Sequence, residues 1–239
     1  MLDNSLVETY AGLEGRDLIK SVLRNHVGKT ALVSSFGAES AVLLHMVSEI
    51  DPHLPVIFLD TGKLFQETLD YRDKLIVELG LTNVRSVQPA REDLEAFDSD
   101  GYLHLLDTDT CCNIRKTIPL EKALTGFEVV ISGRKRFHGA ARADLDFISI
   151  ADGRLKIEPL AGFTALDIHA YLVSHHLPSH PLKLEGYRSI GCEPCTKRGG
   201  TDEDPRAGRW SGTGKTECGI HFTANGQIIR TVQRQTVNA

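Results

Sequence analysis

The chain has no apolar run approaching the roughly 18 residues that a bilayer-spanning helix needs, which excludes a helical membrane span. Positive charge is in deficit. With 27 Lys and Arg against 32 Asp and Glu the net charge is −5, so there is no global basic footprint for nucleic acid. An anionic ligand must therefore be met by local clusters. The stretch from Met1 to Gly15 is polar and acidic and lacks the charged-then-apolar order of a secretory leader, so the expected location is the cytoplasm. No internal repeat and no low-complexity tract interrupts the chain. Cysteine is scarce, with five residues, and in a reducing compartment paired cysteines are metal ligands or redox groups before they are structural disulfides.

What is present suffices for a full core: 239 residues, 41% hydrophobic, as one large domain or one domain with an extension. The pattern alternates. Helical spacing over Leu13–Val27 precedes a strand-like run from Ala31 to Ser35, and a second helical pattern covers Ala41–Ile50. Pro55–Leu59 is apolar without polar alternation, as in a strand buried on both faces. A helix over Leu64–Leu79 stops at Gly80, and Val84–Gln88 reads as a third strand. This βαβαβ order predicts an α/β fold with a mostly parallel sheet flanked by helices, and ligands at the carboxyl ends of the strands. Glu128–Ser132 is a further strand, Leu155–Ile157 an expected edge strand, and Thr164–Asp167 a capping motif opening a helix that runs through Ile168–His176. From Pro178 to Gly214 proline, glycine and charge predominate, which predicts loops and a flexible C-terminal arm.

Four cysteines fall into two pairs, Cys111-Cys112 and Cys192-Glu193-Pro194-Cys195, with 79 residues between the pairs. Together they read as a four-thiolate metal or cluster site. Adjacent side chains on a helix diverge by about 100°, which is awkward for one small tetrahedral ion and easier for a polynuclear cluster; structural zinc is the alternative. Cys218 is left over. It lies between Lys215 and His221, past a glycine-rich loop, as a candidate mobile nucleophile or an ordinary thiol.

Ser34 to Ser40, after the first strand, can present amides and hydroxyls to a phosphate at a helix start, although many structural turns have this composition. Gly212-Thr213-Gly214-Lys215-Thr216 is not a P-loop, because Arg209 stands where the pattern needs its first glycine and no apolar strand precedes it. Basic residues form three groups: Arg115 with Lys116, Arg134 with Lys135 and Arg136, and Arg206 with Arg209. The first follows a cysteine pair, the second ends a strand, and the third precedes Cys218, an order that suggests three jaws closing on one anion.

The ordered motifs Ser35-Phe36-Gly37-Ala38-Glu39-Ser40, Leu59-Asp60-Thr61-Gly62, Cys111-Cys112-Asn113-Ile114-Arg115-Lys116, Gly186 through Thr196, and Glu217-Cys218-Gly219-Ile220-His221 resemble those of the assimilatory adenylyl-sulfate reductases. The first two motifs are shared more widely among adenosine-nucleotide α-hydrolase-like, Rossmann-like proteins. The resemblance implies thioredoxin-dependent reduction of adenosine 5′-phosphosulfate, with Cys218 as nucleophile and Cys111, Cys112, Cys192 and Cys195 around a [4Fe–4S] cluster. It also implies substrate contacts at Ser35, Phe36, Gly37, Ser40, Asp60, Thr61, Gly62, Lys116, Arg134, Arg142, Arg206, Arg209 and His221. Two units are expected, 1–190 for nucleotide and cluster and 191–239 for the C-x-x-C segment and a mobile arm. Where many members of the family carry Gly-x-Arg-Arg and then glutamine, this chain has Gly133-Arg134-Lys135-Arg136-Phe137-His138. That difference leaves the 3′-phosphorylated substrate open as an alternative. A zinc-stabilised ATP-using or tRNA-modifying relative is a more distant one, and a homo-oligomer stays open.

Overall fold

The computed structural model describes residues 4–139, 142–201, 204–211, 215 and 217. In chain order the elements are α1 (Asn4–Thr9), α2 (Gly15–Asn25), β1 (Thr30–Ser34), α3 (Ser40–Ser48), β2 (Val56–Leu59), α4 (Gln66–Glu78) and β3 (Val84–Val87). They continue as α5 (Arg91–Phe97), α6 (Leu103–Leu106), α7 (Thr108–Cys112), a π-helical turn (Asn113–Thr117), α8 (Ile118–Ala123) and β4 (Val129–Ser132). After these come β5 (Ile148–Ala151), β6 (Arg154–Ile157), α9 (Ala165–Ser174) and α10 (Pro181–Leu184).

The six strands form one sheet in the order β3-β2-β1-β4-β6-β5, parallel except for the β5–β6 hairpin. Residues of β1, β2 and β4 are apolar at nearly every position because both faces are covered. With side chains alternating across the sheet, Leu32, Val56, Phe58, Val129 and Ile131 face one core while Ala31, Ile57, Leu59 and Val130 face a smaller one beneath α8. Helix α3 buries Ala41, Val42, Leu43, Leu44, Met46 and Val47, apolar around its whole circumference because it lies in the larger core against α2 and α9. Helix α2 needs only one buried stripe, Leu18, Ile19 and Val22.

Two expectations need correction. Leu155–Ile157 belongs to β6, which is not an edge: it pairs with β4 on one side and with β5, which the sequence reading did not find, on the other. Asp152 and Gly153, both at positive φ, make the two-residue turn that joins this hairpin. The stretch after Leu177 is also less loop-like than expected. It contains α10, and short bridges tie Leu64 to Cys192, Tyr187 to Gly199 and Thr196 to Arg209.

The chain runs from β1 outward through β2 and β3, then returns to place β4 on the other flank of β1. That reversal opens a crevice at the carboxyl ends of β1 and β4, the place where open parallel sheets take their ligands. The capping motif forms as expected: Thr164 Oγ1 accepts from Asp167 N at 3.2 Å and Asp167 Oδ2 accepts from Thr164 N at 2.8 Å. Thr164→Ala is expected to cost about 1 kcal/mol, read as a lower urea midpoint with an unchanged denaturant slope.

Candidate functional site: a cationic cleft beside a cavity of thiols

The cleft opens at the switch point. Its floor is the loop between β1 and α3. Phe36 there adopts φ +48°, a left-handed conformation costing a bulky residue on the order of 1 kcal/mol. The cost is offset by complete burial of its ring edge-on to Phe58, centroids 5.3 Å apart. Phe36 thus anchors the loop from below, and Ser35, Gly37, Glu39 and Ser40 line the cleft above it. The walls come from Gly133, Arg134 and Lys135 after β4, from Arg142, and from Arg188 to Gly191 with Arg206, Arg209 and Trp210 of the C-terminal segment. The absence of a side chain at Gly191 lets the Arg209 guanidinium lie against the backbone there, where its Nη1 donates to Ile190 O at 3.2 Å; a Cβ would displace it.

Next to this cleft is a second, small cavity, lined by all four paired cysteines with Lys63, His104, Arg115, Lys116 and Trp210. Lys116 and Trp210 line both spaces. The π-helical turn Asn113–Thr117 directly follows Cys112. Its residues Arg115 and Lys116 line the cavity together with the adjacent Cys111 and Cys112. The second pair arrives through the turn after β2. Thr61, fully buried, accepts from Arg115 Nη1 with its carbonyl at 2.7 Å, while its Oγ1 lies 3.3 Å from Cys192 Sγ. Lys63 O accepts from Glu193 N at 2.8 Å.

The thiols differ in acidity. Burial resists ionisation of Cys192, but the charge of Lys116, the hydrogen bond of Thr61 and the charge of Arg209 outweigh it and lower its pKa. Burial, followed by the neighbouring Cys112, pushes Cys111 up to about 12. Among the described residues none of the cysteines is in a disulfide, and no group of three or more His, Cys, Asp or Glu is arranged to hold a metal ion.

Four of the basic wall groups, Arg134, Lys135, Arg142 and Arg206, are fixed by carboxylates. Glu158, only 2% exposed, accepts from Arg134 Nε at 2.8 Å and from Arg134 N at 3.2 Å, and from Ser132 Oγ. Glu39 takes Lys135 Nζ at 2.8 Å and His138 Nε2 at 3.1 Å. Burial raises the Glu39 pKa, but Lys135 and His138 overcome it and hold the carboxyl well below the usual range. Glu217 pairs with Arg142 and, at 3.3 Å, with Arg206. Arg209 is different. It stacks over Trp210 at 4.5 Å, and its buried Nε has no hydrogen-bond partner among the described residues.

Of the residues singled out from sequence, Ser35, Gly37, Ser40, Thr61, Lys116, Arg134, Arg142, Arg206 and Arg209 come together in the cleft wall. Phe36 lies beneath it. Asp60 and Gly62 stand outside the wall: Asp60 accepts from Gly62 N at 3.1 Å and Gln88 Nε2 at 2.9 Å, closing the turn after β2. Cys218 and His221 lie outside the described residues. Lys135 was read only as a member of a basic group; Glu39, Arg188 and Glu217 lie within the motifs but were not singled out, and His138 and Glu158 carried no spacing signal of their own.

A parallel sheet with a cationic crevice at its switch point defines a nucleotide-binding protein of Rossmann-like type. The chain belongs to the phosphoadenosine phosphosulfate reductase domain family, whose model matches residues 29–198. It is 50% identical over 193 residues to the adenosine 5′-phosphosulfate reductase of Mesorhizobium japonicum, covering 81% of this chain and 76% of that one. To the protein of the same name from Mycolicibacterium smegmatis it is 38% identical, covering 83% and 84%. In fold it is similar to the crystal structure of phosphoadenylyl-sulfate reductase from Candida auris, with a TM-score of 0.69 at 23% identity over 82% of this chain and 98% of that one. Yeast FAD synthetase shares the fold more loosely, with a TM-score of 0.54 at 16% identity over 77% and 64%.

The ion pair behind the first cysteine pair gives a direct test. Asp98 Oδ2 accepts from Arg115 Nε at 3.0 Å and its Oδ1 from Leu103 N at 2.8 Å, with both residues buried. Asp98→Ala leaves a buried, uncompensated guanidinium and is expected to cost about 3–5 kcal/mol, against about 0.5 kcal/mol or less for Lys74→Ala in an exposed helical pair. Despite the penalty of burial, the Arg115 hydrogen bond and the other donors hold the Asp98 carboxyl below its usual pKa. Its contribution is therefore complete above about pH 4 and lost as pH falls through the depressed value. The difference between the two proteins in urea titrations should narrow on acidification.

Proposed function

We propose that the protein reduces adenosine 5′-phosphosulfate to sulfite and AMP in sulfate assimilation, in the cytoplasm, with thioredoxin as electron donor. The observation that carries this reading is the cationic cleft, with Arg209 in its wall, sharing Lys116 with a cavity of four thiols. The names of the relatives point the same way.

The substrate is multiply anionic and would repel an attacking thiolate. Lys116, Arg134, Arg206 and Arg209 supply the opposing charge, fixed in place before the substrate arrives, and the same groups stabilise the phosphate oxygen of the departing AMP. Cys218, with its proton lost, attacks the sulfur; the S–O bond breaks toward AMP and an S-sulfocysteine forms. A thioredoxin thiolate then attacks Cys218 Sγ, sulfite leaves with the S–S electron pair, and the second thioredoxin thiol resolves the mixed disulfide. The two electrons come from the thioredoxin dithiol. His221 is assigned to the phosphosulfate with the arginines, and the β1–α3 loop to the nucleotide.

Cys111, Cys112, Cys192 and Cys195 would hold a [4Fe–4S] cluster. Four thiols lining one cavity match the all-thiolate donor set of such a cluster. Bound there, the group supplies delocalised charge beside Lys116. Lys135 supports the 5′-phosphosulfate over its 3′-phosphorylated form, because Glu39 already takes up its charge.

Protein purified without oxygen is expected to be brown, with about four iron and four sulfide per chain; a colourless product with one zinc overturns the cluster assignment. Sulfite release with thioredoxin should give a kcat/KM at least about tenfold higher for adenosine 5′-phosphosulfate than for the 3′-phosphorylated form, roughly what one unpaired buried charge contact is worth. Cys218→Ser should abolish turnover with either while nucleotide binding persists. Turnover by that variant moves the nucleophile elsewhere.

A further inference from the structure

Arg142 is one of the cations read from sequence as a substrate contact, yet its guanidinium is committed elsewhere. Its side-on edge, Nε and Nη2, meets both oxygens of Glu217, with Nη2 at 2.9 Å from Oε2. Nη1 lies 3.2 Å from His138 Nδ1. An arginine N–H only donates, so His138 Nδ1 accepts and its proton sits on Nε2, directed at Glu39. A continuous polar chain therefore joins Glu217 through Arg142, His138 and Glu39 to the loop that floors the cleft. Two residues earlier a second anchor acts in the opposite sense: Lys215 Nζ pairs with Asp109 and donates to Thr108 O at 3.2 Å, on the helix that bears the first cysteine pair. Residues 215 and 217 are thus fastened by opposite charges to the thiol cavity and to the cleft.

We propose that Arg142 and Glu217 are a docking pair that holds the chain immediately before Cys218 at the mouth of the cleft, so that Glu217 is a positioning residue for the nucleophile. The peptide bond keeps the following Cα within about 3.8 Å of Glu217's. A bidentate carboxylate fixes orientation as well as distance, which a single lysine contact does not. Arg206, which reaches Glu217 Oε2 at 3.3 Å, is shared between the dock and the cleft. An incoming anion that recruits Arg206 leaves the bidentate pair with Arg142 intact. The assignment of Cys218 rests on the proposed reductase reading; the dock itself does not.

The test uses the full chain and two readouts. The first is cleavage after Lys215 by a lysine-specific protease, quantified from the fragment that begins at Thr216 and normalised to the same chain in urea. Arg142→Gln and Glu217→Gln should each speed it about tenfold, and the exchanged pair Arg142→Glu with Glu217→Arg should return it toward wild type. The second is sulfite formation. Loss of the dock should lower kcat about a hundredfold and move KM for adenosine 5′-phosphosulfate less than about threefold. A raised KM with unchanged cleavage makes Arg142 a substrate contact and overturns the dock, as does failure of the exchanged pair to restore protection. If wild type forms no sulfite yet the cleavage pattern holds, the dock stands and the reductase reading falls.

Discussion

Thr61 is the constraint on which the rest of the site depends. The two cysteine pairs are far apart in sequence, and what brings them to one cavity is a buried turn at the end of β2. Its carbonyl receives Arg115 from the helix of the first pair, and its hydroxyl meets Cys192 of the second. The sheet supplies that turn with rigidity, since β2 is buried on both faces and paired on both sides. Flexibility here would be felt twice, because Thr61 also lines the anion cleft. Asp60 closes the turn, accepting from Gly62 N and Gln88 Nε2.

A second theme is the pairing of Arg134, Lys135, Arg142 and Arg206 in the cleft, and Arg115 in the thiol cavity, with buried or half-buried carboxylates. Glu158, Glu39, Glu217 and Asp98 orient arginine and lysine side chains that would otherwise sample many rotamers and repel one another. The reorganisation that a flexible basic surface would undergo on meeting an anion is thereby completed at folding. Arg209 is held differently, by a face of Trp210 and one carbonyl, so it keeps donor capacity for a ligand.

Much of this was legible in the sequence, for physical reasons that can be named. Doubly buried strands carry unbroken apolar runs, so β1, β2 and β4 were visible; so was the capping box of α9, because its hydrogen bonds are local. Of the β5–β6 hairpin, β6 was visible as a strand but β5 was missed although Asp152-Gly153 is the turn signal, since Ile148-Ser149-Ile150-Ala151 has no unbroken apolar run. Of the Asp60-Thr61-Gly62 motif, taken as substrate-binding from the resemblance, Thr61 lines the cleft while Asp60 and Gly62 form the turn beside it. Glu39 and Glu217 were passed over because an acid inside an anion site looks contrary until the arginines and lysine it orients are seen. The short helices of residues 91–112 were invisible for a different reason: most of their side chains bury little.

Trp210 closes the account from another direction. It is the chain's one tryptophan, it is nearly fully buried, and it forms part of the wall of both cavities while three cations, Arg206, Arg209 and Lys215, lie over its ring. All of the indole fluorescence of this protein therefore originates at the partition between the anion cleft and the thiols. Any event that moves a charge on either side is reported by a single emitter with no background from elsewhere in the fold.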